Sequence, residues 1–481
     1  MNARALRYAS LLALLGLSVT TAAALYLQGM GVAPRALGPY VGQRSAGHNP
    51  LVSGIGSWLQ ERLLSLDRRR PGPYAMPSFS VGAMAMPPSQ ASDQACWRTP
   101  GCRRLRKFAG SPADVRASMQ AAQPGDVITL LPGTYRFGAV LAALAAGTEQ
   151  APITVRAERH GSVVVQFDTV EGFAVSGPWW RFENLIVRGA CAIDARCEHA
   201  FHVAGDAHHF VAVNNTISDF NAHFKINGSG GRFPDHGLID HNTLANSAPR
   251  KTAGPVTPID LVGASGWTIR ANYIADFIKA QGDRVSYGAF AKGAGAGTIV
   301  ERNVVLCEQR LQGQPGQRVG LSFGGGGTGK PYCRDRRCIT EQDHGVIRDN
   351  LVAACSDAGI YINSAADTQI IHNTLLDTGG IDVRFPESGA DVVGNLVDGT
   401  IRARNGARVR ALDNLDTPIA YLYAGYHPVR RLFENVRELN LRWKAAPPRR
   451  AITAAAVDMC GKLRPVWASY GAFENFADCV R

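Results

Sequence analysis

RFENLIV (181–187), VAVNNTI (211–217), LIDHNTL (238–244), TIRANYI (268–274), TIVERNVV (298–305), GVIRDNLV (345–352), QIIHNTL (369–375) and DVVGNLV (391–397) are variations on one phrase. Each is an alternating apolar strand, an asparagine and a second apolar run. The aligned asparagines are Asn184, Asn215, Asn242, Asn272, Asn303, Asn350, Asn373 and Asn395, and the pattern continues to about Asn414. Successive gaps are 22 to 31 residues, except for 47 between Asn303 and Asn350. Such a period, with strand alternation inside each unit, predicts a solenoid of β-coils rather than of helical hairpins. Asparagine tolerates a left-handed backbone and bonds neighbouring amides at turns. Copies stacked at one corner are therefore expected to pair with those above and below. The fold class is all-β: a right-handed parallel β-helix with a short N-terminal capping helix.

Four regions follow along the chain. Residues 1–32 combine Arg4 and Arg7 with an apolar run from about Ala9 to Val32, the pattern of a signal peptide or a membrane anchor. Ala22 to Ala24 could serve a peptidase, whereas an uncleaved run would make a single-pass anchor with its amino end in the cytoplasm. Residues 33–95, rich in Pro, Gly, Ser and Met, read as a flexible linker with one short helix near 54–66. The β-helix spans 96–415, capped at its start by a helix from Ser111 and Pro112 to Gln120. A solenoid's open ends expose apolar side chains, so residues 416–481 are expected to form a capping tail at the other end.

The charge is +12 and the pI about 9.4, which favours an acidic partner. Zinc-finger spacing, an RNP-like strand and a helix-turn-helix signature are all missing from the sequence. No nucleic acid is expected, and an acidic polysaccharide becomes the partner, met by a monomer. Ten cysteines form local pairs: Cys96 with Cys102, Cys191 with Cys197, Cys333 with Cys338, and Cys460 with Cys479. Cys307 and Cys355 follow Asn303 and Asn350 at similar offsets and suit a coil-to-coil bridge. This usage fits export to a periplasmic or extracellular compartment, with disulfide bonds rather than metal–cysteine sites.

PGDVITLLPGTY (124–135) followed by APITVRAERHG (151–161) resembles the opening of the chondroitinase B and alginate lyase family of right-handed β-helix polysaccharide lyases. VDMCGKLRPVWASYGAFE (457–474) resembles the D-x-x-G-x-x-R…G-A-x-E ending of secreted β-helix proteins. The likeness covers roughly residues 123–474. It implies β-elimination on an acidic glycan by a lysine base and an arginine on neighbouring coils, with calcium at the substrate carboxylate. Lys292 matches the arginine's position. Val262 or Gly263 stands where the lysine should be, and Asp260 alone remains of the acidic calcium ligands, so the family's activity does not transfer directly.

One strand of every coil can be aligned by hand: FHVAG, FKING, IDLVG, AFAKG, LSFGG, IYINS, IDVRF and IRARN, beginning at 201, 224, 259, 289, 321, 360, 381 and 401. First and third residues are apolar and should point inward, so second and fourth should point out. The outward rows supply Lys225, Asn227, Asp260, Phe290, Asn363, Asp382, Arg402 and Arg404 for sugar binding. Lys292, Tyr361, His344 and Arg384 are the candidate catalytic residues. In that scheme Lys292 neutralises the carboxylate, Tyr361 or His344 exchanges the proton and Arg384 orients the sugar. His344 belongs to one of two Asp-His-Gly copies (235–237 and 343–345), which a repeated turn also explains. No metal ligand is assigned, although calcium remains open as a cofactor. The glycine-rich insertion 318–338 could wall the site; its GGGGTGK lacks phosphate-loop spacing. Three functions remain: a polysaccharide lyase, a C5-epimerase and a non-catalytic glycan-binding protein.

Overall fold

The computed structural model describes residues 31–68, 77–83, 106–325, 327–453 and 456–480, with isolated positions before residue 31. The Cys96–Cys102 pair and most of the apolar run 9–32 lie outside them. No described helix is long and apolar enough to cross a membrane.

Three long parallel sheets make up the body. The first has 12 strands, from Arg106–Ala109 to Arg408–Leu412. The second has 10, from Leu141–Ala143 to Thr400–Arg404, and the third has 11, from Gly133–Phe137 to Leu415–Asp416. The chain passes from the first sheet to the third, then to the second, and repeats. Every pairing within the three sheets joins successive coils in parallel, which makes the chain a right-handed parallel β-helix. Inside, aromatic side chains stack between coils: Phe173 lies 4.9 Å from Phe201, and Phe201 lies 5.2 Å from Phe224. The helix Pro112–Gln120, capped by Ser111, buries Val115 and Met119 against one end.

The corner between the first and third sheets is an asparagine ladder. Asn303 shows the pattern. Its amide nitrogen donates to Ile269 O, Glu301 O and the Asn350 carboxamide oxygen. Its own oxygen accepts from the backbone and side-chain nitrogens of Asn272. From Asn215 to Asn395 each ladder residue is fully buried, and Asn414 ends the row. Two details depart from the sequence reading. Asn184 belongs one position earlier: it accepts from Asn214, and Leu185 occupies the ladder site below Asn215. The left-handed backbone also belongs to the residue before each ladder asparagine, such as Asn214, His241 and Arg302, and not to the asparagine itself. The strand must turn before the carboxamide can face along the stack.

The flanks differ from expectation as well. Within the presumed linker 33–95 the expected helix near 54–66 is present as Pro50–Asp67, but it pairs with a second helix, Pro34–Ser45, in a hairpin. Arg35 pins it to the body: it pairs with Asp67 and Asp377 and donates to Cys355 O, all buried. Buried ion pairs across 342 residues of chain were invisible to local composition. The tail after 416 runs along the outer face of the third sheet instead of only closing the far end. There Phe433, Phe473 and Phe476 share a core with Val304, Leu306, Leu351 and Leu376. Outward residues of the third sheet are apolar because this second layer covers them. Disulfides join Cys191–Cys197, Cys307–Cys355, Cys333–Cys338 and Cys460–Cys479.

Replacing Asn303 with alanine leaves the Asn272 backbone N–H buried without a partner and takes the Asn303 oxygen from the Asn272 side-chain amide. Because each such orphan costs about 1–3 kcal/mol, the Asn303→Ala variant is expected to lose about 2–4 kcal/mol in a denaturant titration. The exposed Gln120→Ala variant should change by less than about 0.5 kcal/mol in the same titration.

Candidate functional site

The outer face of the second sheet carries the predicted rows. Phe201, Phe224, Ile259, Ala289, Leu321, Ile360, Ile381 and Ile401 are rung-to-rung neighbours. The outward row His202, Lys225, Asp260, Phe290, Ser322, Tyr361, Asp382 and Arg402 follows the same register. Coils are about 4.8 Å apart, so each row presents one side chain per step. Two further rungs, Glu171–Val175 and Leu141–Ala143, extend the sheet beyond the hand alignment. Their apolar phase (Phe173 and Val175, Leu141 and Ala143) is the signal that would have revealed them.

This face is less open than strand alternation implies. Asp260, Phe290, Ser322, Tyr361, Asn363 and Asp382 are buried, while His202, Lys225, Asn227, Lys292, Arg384, Arg402 and Arg404 are half-exposed. Neighbouring loops supply the cover. The Arg334 backbone donates to Gly293 O, and its guanidinium holds both oxygens of Asp235 while lying 4.8 Å from the Phe233 ring. Glu341 fixes the base of the same insertion by accepting from Gly293 N and Thr328 Oγ1. At the other end Arg402 donates to Gly31 O, so the segment before the helical hairpin borders the face.

Most charges on the face are already matched. Lys225 binds one oxygen of Asp260 at 2.9 Å, leaving the other oxygen buried with no hydrogen-bond partner. Arg402 and Arg404 both bind Asp382. Two cations have no carboxylate partner among the described residues. Arg384 lies 4.3 Å from the Phe385 ring, and the Lys292 ammonium lies 4.4 Å from the centre of the Phe290 ring. Burial lowers the Lys292 pKa from its ordinary value. Asp260 and Glu341 oppose that shift and Lys225 adds to it.

The four candidate catalytic residues are not equivalent in this setting. Lys292 and Arg384 occupy fourth positions of the face. Tyr361 packs with Val319, Ala358 and Tyr287, and its oxygen accepts from Asn363. His344 lies elsewhere, at the corner between the second and first sheets. It is 69% exposed, faces Asp343 and Asp367, and lines a 370 Å³ cavity with Gln369, Asp391 and Arg410 on the first sheet. Its Asp-His-Gly motif is a corner device. His236 and His344 take left-handed backbones at equivalent turns. A Cβ on Gly237 or Gly345 would come within 2.3 Å of the Trp267 or Phe323 ring.

Among the described residues, three groups have donor atoms close enough to hold a metal ion: Glu171 with His199 and His202, Cys333 with Asp335 and Cys338, and Asp343 with His344 and Asp367. Beside Lys292, Asp260 Oδ1 is buried without a hydrogen-bond partner, whereas the oxygens of Asp382 and one oxygen each of Asp260 and Glu341 are held by protein donors. These carboxylates alone supply part of the 6–8 oxygen ligands that calcium takes.

No protein-family model matches the chain. A stretch of 94 residues, 17% of this chain, is 34% identical to pectate lyase L of Dickeya chrysanthemi and spans 22% of that protein. Among solved structures, pectate lyase Pel9A superposes over 78% of this chain and 98% of its own, with a TM-score of 0.55 and 15% identity. At that identity the shared property is architecture: the chain has the parallel β-helix fold of pectate lyase Pel9A.

Proposed function

We propose that the chain is an exported polysaccharide lyase that cleaves an acidic, uronate-containing polymer by β-elimination, with Lys292 as the base. The observation that carries this reading is the environment of Lys292. It is half-buried, faces an aromatic ring instead of a carboxylate, and has a lowered pKa. A lysine held this way is available as a neutral amine at lower pH than an exposed one. Proximity to the sheet's other cations suits a polyanionic chain, and the fold shared with a pectate lyase supports the same class. Four disulfides support an oxidising compartment.

In this mechanism the Lys292 amine takes the C5 proton of a uronate. The C5–H electrons form the C4–C5 double bond, the C4–O glycosidic bond breaks, and its oxygen takes a proton from the new ammonium or from water. The second cation without a carboxylate partner, Arg384, binds a carboxylate further along the polymer, about three coil steps or ~14 Å away. Asn363 and Lys225 contact the sugars between and beyond. Lys292 thus passes from neutralising the carboxylate to moving the proton. The corner position of His344 and the packed ring of Tyr361 leave it the better-placed group.

Purified full-length protein is expected to release unsaturated, ultraviolet-absorbing products from at least one of alginate, pectate or a glycosaminoglycan. Solvent deuterium entering an uncleaved polymer would instead establish the epimerase reading. Lys292→Arg keeps the charge but cannot supply a neutral amine, so it should lose at least about 100-fold in kcat, as Lys292→Ala does, with KM little changed. Full turnover by Lys292→Arg would remove the base assignment. The pH profile gives a separate check. Activity needs the neutral amine and therefore rises as pH passes the Lys292 pKa. Asp260 raises that pKa and Lys225 lowers it. Asp260→Asn removes the first influence and frees the second, so the acidic limb of kcat/KM should move to lower pH.

A further inference from the structure

We propose that Glu171, His199 and His202, at the early end of the same sheet, form a binding site for a divalent transition-metal ion of the zinc type. Glu171 and His199 are direct rung partners on adjacent strands, and His202 lies three residues further along the second of them. Glu171 Oε1 is 2.7 Å from His202 Nδ1 and 3.8 Å from His199 Nδ1, and all three donor atoms lie within 4.8 Å of one another. Tetrahedral zinc with bonds of ~2.0–2.1 Å sets its ligand atoms about 3.3 Å apart, a spacing that the two short separations bracket.

Two features separate this cluster from an ordinary histidine–glutamate hydrogen bond. His199 Nδ1 is buried and has no hydrogen-bond partner. Its 3.8 Å approach to Glu171 is too long for such a bond, and suits two ligands placed around an ion. His202 is also oriented from behind. Its Nε2 lies 2.9 Å from Asn227 Oδ1, and Asn227 is held in that sense by its own amide donating to Gly228 O at 3.0 Å. An outer partner on one ring nitrogen directs the other toward a metal. Imidazole and carboxylate donors suit zinc, cobalt or nickel and not calcium, which requires an oxygen cage. Three protein ligands leave a fourth coordination position open, on a half-exposed face. The other two groups lack this construction. Cys333 and Cys338 are joined to each other, and the side chains of Asp343, His344 and Asp367 are 42–73% exposed.

The test uses untagged full-length protein stripped with a chelator and titrated with cobalt(II), then with zinc(II). One equivalent of cobalt should bind with a visible absorption band, be displaced by zinc and resist a large excess of calcium. Glu171→Gln and His202→Ala should abolish that equivalent, and Asn227→Ala should weaken it about 10–100-fold. Circular dichroism and melting check that each variant is folded, and His199→Gln, close in size, replaces any that is not. Absence of a stoichiometric ion in the parent, or parental affinity in the folded Glu171→Gln and His199→Gln variants, overturns the assignment.

Discussion

The buried asparagine ladder is the constraint on which the other features depend. A carboxamide carries both donor and acceptor groups, and burial away from water requires partners for each. In a column of identical residues each amide finds them in the coils on either side, as Asn303 does between Asn272 and Asn350. A coil that slipped by one residue would break two links of the column. It would also turn its apolar side chains outward. The ladder therefore fixes the register of three sheets together. The large insertion before Asn350 is tolerated because it leaves the chain after one rung and returns before the next. The Cys307–Cys355 bridge ties the same two coils just beyond the ladder.

With register fixed, the second sheet becomes a ruler that lines up its outward residues one per coil. Function then depends on which of those residues remain unsatisfied. Lys225, Arg402 and Arg404 are engaged by Asp260 and Asp382. Ion pairs of this kind keep a strongly basic face from repelling itself. Lys292 and Arg384 are set against rings instead, where a cation is attracted less strongly than by a carboxylate and remains open to an anionic ligand. The insertion clamped by Arg334 and Glu341 comes up beside Lys292 at Gly325, and burial of the lysine is the physical source of its lowered pKa. Charge, burial and loop anchoring are thus parts of one arrangement.

Much of this was legible in the chain itself because both determining signals are periodic. Strand alternation and the recurring asparagine gave the coils, and the same alternation placed Lys225, Asp260, Lys292, Tyr361 and Arg384 on one sheet in their true register. Reading failed where the relevant partner is far away in sequence. Arg35 is held by Asp377, the presumed linker folds as a hairpin, and His344 turns the corner because its Gly345 must make room for Phe323. Glu171 and His199 were missed since the hand alignment began at Phe201, one coil too late for the carboxylate and two residues too late for the histidine.

Sequence by itself determined the fold, the coil register and which residues share the second sheet, since a repeated hydrophobic phase and a repeated buried amide admit one stacking. Only the tertiary structure decided which of those residues are free to act. Whether a lysine meets a carboxylate or a ring, and whether a histidine nitrogen keeps a partner, depends on loops and flanking segments that arrive from elsewhere in the chain. Those contacts are set by distance in space, and no periodicity in the sequence records them.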